Sequence, residues 1–470
     1  MAGKDYAHLY AGLDVEVPLL DGSTTRYINF DNAASTPPLK AVQDALDAFM
    51  PYYSSVHRGT GFKSQLSTHA FEEARHTILR FVGADPAEHT LAFVKNTTEA
   101  INKLARRFPF TQQRDMVLTS RMEHHSNDLP WRQAAEVCFV ELLPDGRLDL
   151  EDFQEKLNQF GERIALVSIS AGSNVTGFIN PIYELAEMAH AAGALFMADC
   201  AQYAPHRKVD MLALDDARHL DFIAISAHKL YAPYGSGALI GRRDVFEQGT
   251  PDMVGGGVID VVTRDAAYWA GLPDREEAGS PNHVGAIALA AAVTVLEQVG
   301  MENVAAHEAE LTRHALGRLT AIPQVTVYGD VDSARAEQRL GVLPFNVEGM
   351  SHFKVAAILG YEFGIGVRNG CFCAHPLIFH LLDIHGESVD LVVAKMLSDD
   401  KSEMPGLTRA SFGLYNTVDE VDRFADAIEG IIAGVYRGEY VQDRASGEYM
   451  PMGWTPEFER YFTFPRPETA

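Results

Sequence analysis

The stretch Leu195-Phe196-Met197-Ala198-Asp199-Cys200-Ala201-Gln202, followed by Phe222-Ile223-Ala224-Ile225-Ser226-Ala227-His228-Lys229, decides the fold. Each half is a short apolar run that stops abruptly at polar residues. Runs of this length read as buried strands. A carboxylate closes the first and a lysine follows the second. Working outward, Leu91–Val94, Met116–Thr119, Val137–Val140 and Ile164–Ile169 repeat the pattern, with helical periodicity from Glu99 to Arg107 and from Tyr183 to Ala192. Strand–helix alternation predicts an α/β fold with a mostly parallel sheet covered on both faces. In such sheets ligands gather at the carboxyl ends of the strands.

Past residue 300 the pattern changes. Val304 to Leu319 reads as one long helix, Val325–Tyr328, Gly341–Val347 and Gly364–Val367 as strands, and Phe424 to Val435 as a terminal helix. The expected organisation is a large domain over 36–300 and a smaller α+β domain from 1–35 and 301–436. An extension over 437–470 is expected to be an extended tail packed on the surface. The formal net charge of −25 argues against nucleic acid and anionic membranes as partners. Cys138, Cys200, Cys371 and Cys373 are too few for a disulfide framework. Met1 to Leu20 lacks the apolar run of a signal peptide, and no stretch approaches the roughly 20 apolar residues of a membrane span. A soluble, reducing, cytoplasmic setting is expected.

The polar residues after the strands suggest one chemistry. Pyridoxal 5′-phosphate (PLP) needs a lysine for a Schiff base, an acid to hold its pyridine nitrogen protonated, a group stacked on the ring, and donors for its phosphate. Lys229 and Asp199 sit at successive strand ends. Either alone would be unremarkable, as a surface lysine or a turn aspartate; together they are a strong signal. Leu91–Val94 leads into Asn96-Thr97-Thr98-Glu99, where a helix starts. Its free N–H groups and hydroxyls make a phosphate seat, although a plain threonine cap would look the same. Ser226 and His228 can add phosphate contacts. His124, in Glu123-His124-His125-Ser126-Asn127, can stack on the ring. Adjacent histidines without further ligands at metal spacing make a metal site the weaker reading. Asn174 and Gln202 can reach the ring hydroxyl or a substrate.

These segments resemble the class V aminotransferase superfamily, in its cysteine desulfurase and selenocysteine lyase group. The matching motifs run in order from Phe30-Asp31-Asn32-Ala33-Ala34-Ser35 and Val56-His57-Arg58-Gly59, through the strand-end motifs above, to Gly255-Gly256-Gly257, Glu277-Ala278-Gly279-Ser280-Pro281-Asn282, Arg368-Asn369-Gly370-Cys371-Phe372-Cys373-Ala374 and Arg409-Ala410-Ser411. The resemblance implies a fold-type I PLP-dependent transferase that works as a homodimer. It implies Lys229, Cys373 and His124 as catalytic residues. Thr97, Thr98, His124, Asn174, Asp199, Gln202, Ser226, His228 and Lys229 would bind the cofactor, with Ser280 reaching the phosphate from the other subunit. Asn32, His57, Arg58, Asn174, Arg368 and Arg409 would bind substrate, Arg409 by clamping its carboxylate.

The resemblance also implies the reaction. A desulfurase thiolate attacks the sulfur of cofactor-bound L-cysteine, leaving alanine and an enzyme persulfide. Arg368, Gly370, Cys373 and Ala374 match the short-loop motif Arg-x-Gly-x-x-Cys-Ala, which marks Cys373 rather than Cys371 as nucleophile. An inert buried thiol is the competing reading. Cys371-Phe372 replaces the usual two histidines and is similar to the loop of molybdenum-cofactor sulfurases. The stretch from Pro376 to Leu407 is longer than the family pattern and reads as two helices and an exposed turn near the site's mouth. A sulfur-acceptor protein is an expected partner. The alternatives are another class V reaction (carbon–sulfur lyase, epimerase or aminotransferase) with Cys373 a bystander, and a non-catalytic protein that kept the fold.

Overall fold

A computed structural model describes residues 5–57, 59–398 and 400–465. Its centre is a seven-stranded sheet: β1 (His89–Val94), β2 (Met116–Ser120), β3 (Glu136–Val140), β4 (Ile164–Ser170), β5 (Leu195–Asp199), β6 (Phe222–Ser226) and β7 (Gly237–Arg242). The spatial order is β1-β7-β6-β5-β4-β2-β3. β3, β2, β4, β5 and β6 are mutually parallel. β7 runs antiparallel between β6 and β1.

The apolar runs are continuous because both faces of the sheet are covered. Consecutive residues alternate between two cores. Leu118, Val167, Phe196, Ile223 and Ile240 enter one, and Val117, Leu166, Met197, Phe222 and Leu239 enter the other. Ala100, Ile101 and Leu104 of α1 (Thr97–Arg107) seal the second core. The first is sealed by Leu185 and Ala189 of α2 (Ile182–Ala191) and by Leu289, Ala292 and Leu296 of α3 (His283–Val299).

All six strands expected up to residue 226 form. β7 is the addition: its apolar centre Ala238-Leu239-Ile240 is bracketed by Gly237 and Gly241, so it gives a weak strand signal. Gly237 is required there. A Cβ would lie 2.6 Å from the Ile225 carbonyl and 3.0 Å from Asn96 Cα, so only glycine lets β7 pass beneath the turn that opens α1.

A second, four-stranded antiparallel sheet has the order β8-β9-β11-β10, from β8 (Val325–Val327), β9 (Val342–Val347), β10 (Arg368–Gly370) and β11 (Leu407–Ser411). Its core gathers Leu343, Phe345 and Ala410 with Leu316 of α4 (Met301–Thr320), Ile358 of α5 (His352–Phe363) and Phe424 of α8 (Val418–Ile432). Ile28 and Phe30 from the N-terminal segment join this core, and Ile28–Asn29 pairs in parallel with Ile365–Gly366.

Three expectations differ in detail. The strand expected at Gly364–Val367 splits: Gly364 takes a left-handed φ of 65° as α5 ends, and the chain pairs first with Ile28–Asn29 and then, from Arg368, with β11. α8 starts before Phe424, because Thr417 and Glu420 form a reciprocal capping box. The tail is not simply extended: Tyr440–Gln442 and Tyr449–Pro451 form a hairpin. Within 376–407, α6 (His375–Leu381) and α7 (Glu387–Leu397) form the two helices that the sequence suggested.

Candidate active site

The carboxyl ends of β1, β2, β4, β5 and β6 converge on a cavity of about 260 Å³, closed on its other side by residues of the second sheet and the cysteine loop. Thr97, Thr98, His124, Asn174, Asp199, Gln202, Ser226, His228, Lys229, Arg368, Cys373 and Arg409 all line it. The alternation of strand and helix that built the sheet therefore brings together most of the residues marked in the sequence.

Lys229 follows β6 on a short 3-10 turn. Burial lowers its ammonium to about 8; Asp199 opposes the shift and Arg409 adds to it. Asp199 closes β5. Its Oδ1 accepts the Ala201 N–H at 2.9 Å, and burial raises its pKa. Neither the Lys229 amine nor Asp199 Oδ2 makes a hydrogen bond among the described residues. His124 Nδ1 accepts the Ser126 N–H at 3.1 Å, which puts the ring proton on Nε2. Burial, then the Lys229 charge, lowers its pKa to about 3, so the ring is neutral.

At the start of α1, Asn96 caps the helix by accepting the Glu99 N–H. Beside it is a cluster of hydroxyls. Thr97 N–H donates to Ser226 Oγ at 2.9 Å, Thr97 Oγ1 lies 2.9 Å from that oxygen, and Thr98 Oγ1 lies 2.6 Å from Ser126 Oγ. Ser126 has no strand-end signal of its own in the sequence: it follows two histidines in the same motif. His228 is held neutral at about 4, first by burial and then by Lys229.

Arg409, on β11, is buried. Its Nη1 donates to the Asn174 carbonyl at 3.0 Å and its Nη2 to Asp31 Oδ1 at 2.9 Å, while its Nε has no partner among the described residues. Asp31 also pairs with Arg368 at 3.7 Å. It stands in the Phe30–Ser35 motif, where nothing local in the sequence points to this pairing. Glu123 is buried, accepts from Ser120, Asn127 and Ser170, and is pushed up to about 7 by burial. It braces the turn that carries His124.

Other expected residues lie elsewhere. Asn32 does not line the cavity: its Nδ2 donates to the Asn29 and Ser411 carbonyls and its Oδ1 accepts from Tyr415, so its amide ties chain segments together. His57 stands outside the cavity, 4.0 Å from Asp274 and edge-on to Phe71. Ser280 is exposed and away from this cavity. Arg58 falls outside the described residues. Asn174 is in the cavity wall, but its Nδ2 donates to the Phe372 carbonyl at 2.7 Å. Gln202 Nε2 is likewise committed, to the Ala33 carbonyl at 2.7 Å.

The cysteine loop separates its two thiols. Phe372 and Cys373 both adopt left-handed backbone, with φ of 51° and 55°. For residues other than glycine this costs about 1–2 kcal/mol each. The loop is therefore not extended, and the two thiols do not share an environment. Cys373 is exposed at the cavity wall. Cys371 is buried, donates to the Pro405 carbonyl at 3.1 Å, and is pushed up to about 12, chiefly by burial. The Arg409 guanidinium lies 4.8 Å from the centre of the Phe372 ring.

Comparisons with known proteins bear on the family and the fold. Residues 28–424 match the family model for aminotransferase class-V. A cysteine desulfurase of Haloferax volcanii is 35% identical over 417 residues, covering 87% of this chain and 90% of that protein. A probable cysteine desulfurase of Halalkalibacterium halodurans is 36% identical, covering 91% and 98%. The apo structure of the cysteine desulfurase from Thermococcus onnurineus NA1 superposes with a TM-score of 0.76 at 33% identity, covering 87% of this chain and 95% of that one. With this fold, this strand-end cavity and these relatives, the chain belongs to the class V aminotransferase family, in its cysteine desulfurase-like group.

Proposed function

We propose that the protein is a PLP-dependent cysteine desulfurase that converts L-cysteine to L-alanine and takes the sulfur onto Cys373. The observation that carries this reading is the position of Cys373. It is an exposed thiol held in strained backbone on the wall of the cavity that also contains Lys229, Asp199 and Arg409.

The cavity's donor set fits PLP. Among the described residues Lys229 and Asp199 Oδ2 are without hydrogen-bond partners, the His124 ring is neutral, and the hydroxyls of Thr97, Thr98 and Ser226 cluster at a helix N-terminus. Lys229 would hold the group covalently, Asp199 its pyridine nitrogen and His124 its ring face. The hydroxyl cluster and His228 would hold its phosphate. When bound, PLP supplies an electron sink for charge that develops on the substrate.

The protein's own residues do the rest. Arg409, with an unpaired buried Nε, binds the substrate carboxylate. The Lys229 amine, near-neutral in its acidity, takes the proton from the substrate Cα and returns a proton to complete alanine. The Cys373 thiolate attacks the substrate sulfur. The new S–S bond forms as the substrate C–S bond breaks, so L-cysteine and the Cys373 thiol give L-alanine and a Cys373 persulfide with no outside oxidant.

A homodimer is part of the proposal. Supporting it are exposed Ser280, which does not line the cavity of its own chain, and the exposed apolar side chains Met253, Val254, Val261, Val262 and Tyr268 on the preceding segment. The test is alanine release from L-cysteine by the PLP-loaded protein and by Cys373→Ala. The variant should still bind L-cysteine, seen as a change in the cofactor's absorbance, yet release no alanine. Undiminished alanine release by the variant would turn the reading toward a lyase or aminotransferase.

A further inference from the structure

His125 points away from the cavity that His124 enters, and it meets the cysteine loop from behind. Its main-chain N–H donates to the Cys373 carbonyl at 2.7 Å. Its Nε2 faces His375 twice, lying 3.4 Å from the His375 N–H and 3.0 Å from His375 Nδ1. The two rings are stacked with centres 4.9 Å apart and planes within 10°. With Nε2 accepting, the His125 proton resides on Nδ1 and the ring is neutral. Burial, and then the neighbouring His375, lower the pKa of His125 and favour that neutral form.

Every carbonyl of the turn is thus engaged. The Cys371 carbonyl accepts the Ala374 N–H, the Phe372 carbonyl accepts Asn174 Nδ2, and the Cys373 carbonyl accepts the His125 N–H. Asn174 also lines the cavity, but His125 and His375 do not. The His125 ring adds a separate hold on the chain after the turn, by accepting the His375 N–H, and neither imidazole lines the cavity. His375 follows the left-handed Phe372 and Cys373 with only Ala374 between.

We propose that His125 and His375 are positioning residues for the nucleophile: the His125 imidazole fixes the chain after Cys373, and through it keeps the thiol turned to the cavity. The inference rests on Cys373 being the desulfurase nucleophile. It assigns the pair no contact with substrate or cofactor.

The test compares His125→Phe, which keeps an aromatic ring but removes the acceptor, with His125→Gln, whose side-chain carbonyl can accept. Two readouts are taken. In the PLP-loaded protein, His125→Phe should lower kcat for alanine formation by about tenfold or more. L-cysteine affinity, followed by the cofactor absorbance change, should stay near wild type, and His125→Gln should recover most of the rate. In the protein without substrate, hydrogen exchange in the peptide carrying Cys373 and Ala374 should quicken in His125→Phe by about tenfold. Wild-type exchange in His125→Phe would overturn the proposal whatever the enzyme's reaction. So would an equal loss of rate and substrate affinity, which would mark a general structural role. If the exchange changes as expected but wild type releases no alanine from L-cysteine, the positioning role stands and the desulfurase reading fails.

Discussion

The two cysteines of the loop should differ in reactivity by a margin that can be worked out. Cys371 is pushed up to about 12 by burial, and its Sγ already donates to the Pro405 carbonyl. At pH 8 its thiolate fraction is then about one in ten thousand, whereas an ordinary thiol of pKa about 8.5 is about one-quarter ionised. Since the thiolate is the nucleophile, Cys371 should react about two-thousandfold more slowly than free cysteine, before its burial is counted. Cys200 is buried with its pKa well raised, and burial raises Cys138 as well. Exposed Cys373 should therefore be the first thiol alkylated. The assay is limiting iodoacetamide at pH 8 with a free thiol as internal standard, followed by peptide mapping. Trypsin leaves both loop cysteines between Asn369 and Lys395, so fragmentation must separate them. Alkylation of Cys371 within about tenfold of Cys373 would refute the reasoning and reopen a direct role for the buried thiol.

Three further outcomes follow from the same contacts. Lys229 near 8 is more readily deprotonated than an ordinary lysine of about 10.4, so capture of PLP by the apoprotein should accelerate as pH rises through about 8; a midpoint near 10 in the absorbance rate would contradict the burial argument. Asp31→Asn removes the carboxylate on Arg409 Nη2 and leaves that buried guanidinium less well held, so the KM for L-cysteine should rise by about tenfold or more with the cofactor absorbance unchanged, and an unchanged KM would dismiss Asp31 as a support. Far from the cavity, Asp221 accepts from Phe196 N–H, His190, His219 and Arg242; burial alone would raise its pKa, but the histidine bonds hold it well below the usual range. A depressed carboxylate stabilises above its unfolded pKa of about 4 and loses that contribution as pH falls below it, so urea unfolding of Asp221→Asn should show a loss of about 3–5 kcal/mol at pH 7 that narrows in acid, and a pH-independent loss would refute the linkage.

The large sheet was legible because its strands are buried on both faces and read as uninterrupted apolar runs, with chemistry confined to their ends. Lys229, Asp199 and Thr97 could be marked for that reason: a strand end is a local feature. β7 was missed because its centre is only three apolar residues between glycines. Asp31 and Glu123 gained their roles through partners remote in sequence, Arg409 for one and Ser170 for the other. The motifs containing them were visible, but the pairings were not. Asn32 illustrates the converse: it sits in a motif that supplies the site, yet its amide serves the packing of the N-terminal segment against Ser411 and Tyr415. The choice between Cys371 and Cys373 needed backbone angles. An extended loop would have left both thiols on one side, and the left-handed pair at Phe372 and Cys373 separates them.

The central claim is that sulfur passes to Cys373. The most direct measurement is a single turnover: the PLP-loaded protein mixed with less than one equivalent of L-cysteine, quenched with an alkylating agent, and mapped by mass. The account predicts one added sulfur atom on Cys373, none on Cys371, and alanine in equal amount. Alanine released without sulfur on Cys373, or sulfur found on another residue, would contradict it.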